Sequence, residues 1–292
     1  MTKIKPTQDM LDLYDLYAHG LMGRRDFVRK LGGYAVAGLS VGTLMQALMP
    51  DYALANQVGE DDARFTATDI EYASPDGAGT MGGYFLRPTK ATGKVPGVVV
   101  IHENRGLNPY IRDVARRVAI EGYMVLAPDA LYPSGGYPGN DDDGRVLQRQ
   151  RDRDEMTEDF AAAIRYLQGH EGSSGKVGCV GFCFGGSVSN KLAASMPDLA
   201  AAVPFYGSAP ALEDVPNIHA PLLIHLAELD KRVNAGWPNY EAALKAAGKE
   251  YQMHMYAAAN HGFHNDTTQR YDADAAELAW SRTLEFFRKN LH

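Results

Sequence analysis

Cysteine is scarce in this chain: two residues in 292, Cys179 and Cys183. Four residues along an extended strand span roughly 13 Å at about 3.3 Å per residue, whereas a disulfide needs Cα atoms within about 7 Å. The two are not expected to pair, so a disulfide framework is excluded, and two thiolates are too few for a structural zinc site built on sulfur. A basic excess is also lacking. The formal net charge of −7 argues against nucleic acid as a partner, because phosphate recognition wants a basic surface, and equally against a strongly anionic membrane surface. No internal repeat or low-complexity tract is present. What remains, 45% apolar and 22% charged residues, is the composition of an ordinary globular protein, long enough for a sizeable core.

The first 55 residues differ from the rest. Gly23-Arg24-Arg25-Asp26-Phe27-Val28-Arg29-Lys30 is a twin-arginine pattern, followed by the uncharged, glycine- and alanine-rich stretch 31–49 and then by Asp51-Tyr52-Ala53-Leu54-Ala55, a small-residue processing site before Asn56. Basic region, apolar region and cleavage site are the three parts of an export signal. The expectation is a 1–55 signal segment, recognised by the twin-arginine export machinery and cleaved after Ala55, with the mature protein in the bacterial periplasm. The alternative is a membrane anchor over 31–49, which approaches spanning length but is broken by glycines, Ser40, Thr43 and Gln46. Residues 10–21 could form a short amphipathic helix of no assigned role.

Residues 56–68 are polar and read as a linker. From there the pattern alternates between short apolar runs and amphipathic helices over one domain, 69–292. Pro75-Asp76-Gly77 is the turn of an edge hairpin. Pro96-Gly97-Val98-Val99-Val100-Ile101-His102 is apolar throughout, as expected of a strand buried on both faces. Asn108 and Pro109 have the types of a helix N-cap and first turn. Residues 128–144 form a long loop, read equally as an active-site lid or a solvated surface loop. This alternation implies an α/β fold with a mostly parallel central sheet and helices on both faces.

Gly181-Phe182-Cys183-Phe184-Gly185 has the G-x-nucleophile-x-G spacing of a nucleophile elbow, in which a sharp strand-to-helix turn lifts one side chain off the sheet. A buried structural cysteine at a strand–glycine–helix joint is the plainer alternative. A phosphate loop is excluded because no lysine precedes Ser187. In open parallel sheets the working residues gather at the carboxyl ends of strands. Glu103, Cys183, Asp230 and His261 fall there, and the last three run in the order nucleophile, acid, histidine.

With those residues in place, 70–290 resembles the dienelactone hydrolases, cysteine-dependent members of the α/β-hydrolase fold. The resemblance rests on Gly181-Phe182-Cys183-Phe184-Gly185-Gly186, Phe205-Tyr206-Gly207, Leu229-Asp230-Lys231-Arg232-Val233 and His261-Gly262-Phe263. It implies an ester or lactone hydrolase without cofactor or metal. Cys183 would be the thiolate nucleophile, His261 the proton carrier and Asp230 its orienting acid. Backbone N–H groups of Asn104 and Phe184 would form the oxyanion hole, and Glu103 is similar to the family glutamate that holds the thiol. Substrate contacts are expected from Arg105, Tyr132 and Tyr206. The family holds its substrate carboxylate with arginines, one of them four residues after the histidine. That position is Asn265 here, and the Leu131-Tyr132-Pro133-Ser134 loop also lacks arginine, which implies a neutral ester or lactone. A thioester or peptide hydrolase, or a non-catalytic binder on the same scaffold, are the rival readings. Glu228 competes with Asp230 as the acid. His254 and His264 lie near His261, while His102 and His225 sit in buried strands as core histidines.

Overall fold

The computed structural model describes residues 5–35 and 40–292. Residues 1–4 and 36–39 lie outside that description, the latter within the 31–49 stretch read as signal core or anchor. Among the described residues, no helix is long and apolar enough to cross a membrane.

Three short helices come first: α1 (Gln8–Ala18), α2 (Arg24–Leu31) and α3 (Val41–Leu48). They pack on one another around Met10, Leu11, Tyr14, Tyr17, Phe27, Leu31, Leu44 and Leu48. Phe27, the aromatic residue of the twin-arginine pattern, is fully buried and stacks on Tyr17 with ring centroids 4.7 Å apart. Arg24 and Arg25 stay exposed. This small cluster is a satellite of the main core and docks against the body.

The body is built from β1 (Phe65–Ser74), β2 (Gly79–Pro88), β3 (Val95–Ile101), α4 (Pro109–Ala119), β4 (Met124–Pro128), α5 (Asp141–Gln150), α6 (Arg153–Gly169), β5 (Ser173–Phe182), α7 (Phe184–Ser195), β6 (Ala201–Phe205), β7 (Leu222–Ala227), α8 (Lys231–Asn234), α9 (Trp237–Ala246), β8 (Tyr251–Tyr256) and α10 (Ala273–Leu291). The strands form one sheet in the order β1-β2-β4-β3-β5-β6-β7-β8. β1 pairs antiparallel with β2, and β2 antiparallel with β4; β4 through β8 run parallel. Side chains alternate faces along a strand, and β3 shows it: Val98 and Val100 pack under α4 and α10, whereas Val99 and Ile101 pack under α6 and α7. Both faces are dry, so β3 and β5 in the middle of the sheet are held without freedom to slip register.

Several boundaries differ from the expectation. β1 begins at Phe65, four residues inside the assumed linker, because Phe65 is buried and pairs with Pro88. The chain before it is strapped down as well: Val58 N donates to Asp113 Oδ1 at 3.0 Å, and Arg116 Nε donates to the Val58 carbonyl at 2.6 Å. The 128–144 loop is shorter than its composition implied. Asp141, Asp142 and Asp143 form the first turn of α5, capped by Asn140. Carboxylates at a helix N-terminus complement its dipole, which is why an acidic run that reads as solvated loop begins a helix here.

Candidate active site

β5 ends and α7 begins within one residue. Cys183 carries that turn with φ 57° and ψ −109°, a conformation that non-glycine residues adopt only where the surroundings impose it. The flanking glycines have a steric reason. A Cβ on Gly181 would lie 2.0 Å from the Gly185 carbonyl oxygen, and one on Gly185 would lie 2.3 Å from the Ile101 carbonyl oxygen. Cys183 N donates to the Phe205 carbonyl at 3.1 Å, tying the elbow to the neighbouring strand. Phe184 opens α7, so its N–H has no partner inside the helix.

Two further loops bring the other groups to the same sheet end. Asp230 follows β7 and caps α8, its Oδ1 accepting from Val233 N at 3.1 Å. His261 follows β8, and its Nδ1 donates to Asp230 Oδ2 at 2.5 Å. That bond leaves Nε2 of His261 buried and without a hydrogen-bond partner among the described residues. Glu228 is turned away, its carboxylate accepting from Ala258 N at 2.7 Å. The structure therefore pairs Asp230, not Glu228, with the histidine.

A second imidazole faces the thiol. His19, the residue that ends α1, places Nε2 3.2 Å from Cys183 Sγ. Its Nδ1 donates to the Asp15 carbonyl at 2.8 Å and lies 3.2 Å from the Asp15 carboxylate. The rings of His19 and His261 meet edge to face with centroids 4.6 Å apart. His19 was not anticipated, because its segment reads as a leader and the only local signal is an Asp–His pair one helical turn apart.

The electrostatics follow from this placement. Burial acts to raise the Cys183 pKa, but the two imidazoles outweigh it and bring the thiol down to about 5. Burial acts to lower the His261 pKa, but Asp230 and the thiolate lift it to about 10. His19 is also raised: burial opposes the charge, and the thiolate and Asp15 overcome it. Asp230 is lowered despite burial, chiefly by His261. Cys179 has no such neighbours, and burial pushes it up to about 12. Together these shifts favour a thiolate on Cys183 beside a protonated imidazole. One ligand atom on each of His19, Cys183 and His261 lies within 4.8 Å of the others, a sulfur and nitrogen donor set of the type zinc accepts. His264, near His261 in sequence, takes no part in this set; its Nδ1 bonds the Tyr110 hydroxyl at 2.6 Å.

The remaining candidates divide. Tyr206 reaches the site: its ring lies 4.8 Å from His261, and it borders the cavity together with Asn104 and Phe184. Glu103 is buried at the strand end but does not hold the thiol; its Oε2 accepts from Asn265 Nδ2 at 2.9 Å. The residue standing at the family's arginine position is thus turned inward onto this glutamate. Arg105 is no substrate contact. It is 2% exposed and ion-paired to Asp141 at 2.8 Å. Tyr132 is also displaced, its ring over Gly82 and its hydroxyl on Glu71. His102 and His225 are satisfied core residues, bonded to Ala130 N and to Tyr256 and Thr283 respectively.

The cavity above Sγ measures about 260 Å³. Arg149, Arg151, Arg153, Lys191 and Arg232 stand on its wall, and no carboxylate does among the described residues. Arg149 and Arg153 form no ion pair among the described residues, while Arg151 is bound to Asp159 at 2.9 Å and Lys191 to Asp154 at 3.0 Å. The expectation of a neutral substrate rested on two missing arginines; this wall carries other cations, from the chain between α5 and α6 and from α5, α6, α7 and α8.

The sequence model of the dienelactone hydrolase family matches residues 81–291, the stretch that carries the elbow, Asp230 and His261. The chain belongs to the dienelactone hydrolase family. A separate family, described as YqhI-like, matches residues 2–36. The Escherichia coli (strain K12) protein named "Putative hydrolase fragment YghX" is 60% identical over 109 residues, 37% of this chain and 93% of that one. The Synechocystis protein named "Putative carboxymethylenebutenolidase" is 34% identical over 230 residues, 72% of this chain and 92% of that one. Among solved structures, a dienelactone hydrolase-like promiscuous phosphotriesterase from metagenomic libraries superposes with a TM-score of 0.68 at 26% identity, covering 79% of this chain and all of that one. The protein is a hydrolase of the dienelactone hydrolase type with the α/β-hydrolase fold of that family.

Proposed function

We propose that this dienelactone hydrolase cleaves an ester or lactone through an acyl-enzyme on Cys183. The observation that carries the reading is the His261–Asp230 bond of 2.5 Å beside a cysteine held in the elbow conformation. The thiolate attacks the substrate carbonyl, forming the S–C bond. The negative charge passes to the carbonyl oxygen, which the N–H groups of Phe184 and Asn104 receive. Collapse breaks the C–O bond, and imidazolium His261 gives its proton to the departing alkoxide. Water then attacks the thioester, His261 takes its proton, and acid and free thiolate are restored.

The cations on the cavity wall support a substrate with a negative charge next to the scissile bond. A matched pair of aryl esters, alike but for one carboxylate, tests this. The anionic ester should show the higher kcat/KM, with the advantage shrinking as salt screens it. Equal values at low salt would count against the charge. Cys183→Ala should abolish turnover while the far-ultraviolet circular dichroism is kept; turnover that persists refutes the nucleophile.

The twin-arginine pattern supports export of the chain to the periplasm, with both arginines exposed for recognition. Fractionation tests it: replacement of Arg24 and Arg25 by lysine should leave the protein in the cytoplasm.

A further inference from the structure

We propose that the N-terminal segment is a working part of the enzyme rather than a discarded leader, and that its His19, backed by Asp15, is the group that holds the Cys183 thiolate at rest. The inference builds on the nucleophile reading above. In the family the thiol is held by a glutamate; here Glu103 is committed to Asn265, and the group in contact with Sγ is His19 Nε2 at 3.2 Å.

The contact is supported from both sides. Within the segment, the Nδ1 bond to Asp15 selects the imidazole tautomer and aims Nε2 at sulfur. This repeats the arrangement of His261 on Asp230, so the nucleophile lies between two carboxylate-backed imidazoles. Glycine follows at once: Gly20 has φ +74°, which turns the chain out of the site without a Cβ penalty. From the body, Arg270, 4% exposed, donates to Asp15 at 3.1 Å. Asn104, a residue of the site itself, donates to the Ala18 carbonyl at 2.7 Å. Farther out, the Tyr17 hydroxyl donates to Asp142 at 2.7 Å, the Tyr52 hydroxyl to Asp141 at 2.6 Å, and Asp51 N to the Thr267 carbonyl at 2.8 Å. These partners lie on α5, on the β3–α4 loop and on the chain after His261, so the segment is fastened around the cavity rather than laid on one edge. The presumed processing bond is covered too. Ala55 is 5% exposed, and its carbonyl faces the buried Arg116 guanidinium. A peptidase would need this strap lifted before it could cut.

The consequence is a division of labour. Before substrate binds, the thiol proton resides on an imidazole and the thiolate is gripped by His19. An acyl group on Sγ needs the space that Nε2 occupies, so His19 yields as the S–C bond forms, while His261 keeps its bond to Asp230 and carries the proton. The groups facing Sγ and His19 are His261 with Asp230 behind it, Asp15, Arg232 from α8, and Tyr206.

The test is the pH dependence of iodoacetamide alkylation at Cys183 in the full-length chain, located by peptide mass spectrometry. Wild-type, His19→Ala, His19→Gln and Asp15→Asn chains are compared, with thermal melting in parallel. Removing His19 should move the thiol's acid limb upward by at least about one pH unit, tenfold less thiolate below the limb. Asp15→Asn should move it the same way by less. Coincident limbs in wild-type and both His19 variants, with unchanged melting, overturn the proposal. So does an active exported enzyme whose intact mass begins at Asn56 and whose limb matches that of the full chain. A Cys183→Ala protein that still turns over refutes the nucleophile itself. An inactive Cys183→Ala protein with unshifted His19 variants refutes only the role of His19.

Discussion

Alkylation of the wild-type thiol is the sharpest probe of the site's electrostatics. Cys183 is brought from an ordinary 9.0 down to about 5, and a lowered pKa means that thiolate is present above that value and lost below it. At pH 6 a thiol of pKa about 9 is roughly one part in a thousand ionised, whereas Cys183 is about nine-tenths ionised, a roughly 900-fold excess of thiolate. Nucleophilicity falls with basicity at a Brønsted slope of about 0.4–0.5, so four units cost each thiolate roughly 60-fold. The net expectation is alkylation about tenfold faster than a free thiol at pH 6 and roughly thirtyfold slower at pH 9. The assay is a rate profile from pH 4 to 10 with a small-molecule thiol as reference. Labelling should stop at one site, because Cys179 is buried and pushed up to about 12. The crossing of the two profiles is the signature. A rate that climbs through pH 9 as the reference does would refute the thiolate–imidazolium pair.

Three other perturbations have defined outcomes. Asp230→Asn removes the charge that holds imidazolium His261 and leaves the ring free to flip. Steady-state kinetics should show kcat lower by about 10⁴, the size seen for the same change in a serine triad, with melting little altered. Gly181→Ala places a Cβ 2.0 Å from the Gly185 carbonyl oxygen, a backbone atom that cannot swing aside. The soluble yield should collapse, whereas the same substitution at exposed Gly93, with open space around it, should be tolerated. Arg105→Ala strands the Asp141 carboxylate in a nearly dry site; breaking such a buried pair costs about 3–5 kcal/mol, readable as a lowered urea midpoint.

Much of the body was legible because its signals are local. β3, β7 and the second half of β5 are short apolar runs, β8 is a mixed edge strand bounded by turn residues, and the chain just past these strands carries Glu103, Cys183, Asp230 and His261. The G-x-C-x-G spacing needs only the steric argument at Gly181 and Gly185 to become an elbow. The acidic run 141–143 was misread because charge resembles solvated loop, while a capped helix start uses the same residues. Arg105 and Tyr132 were misplaced because proximity in sequence to a strand end does not fix the direction of a long side chain. Arg105 is drawn to Asp141 on α5, and Tyr132 covers Gly82 on the outer hairpin.

By itself the amino-acid order determined the α/β alternation, the elbow, and the chain order of nucleophile, acid and histidine, since each depends on residues a few positions apart. Only the tertiary structure decided what surrounds the sulfur. Glu103 turns to Asn265 across 162 positions, and cations from α5, α6, α7 and α8 converge on one wall. His19 arrives at Cys183 from 164 positions away, out of a segment whose composition reads as a leader. Such contacts are set by how packed elements meet, and no periodicity or spacing along the chain encodes them.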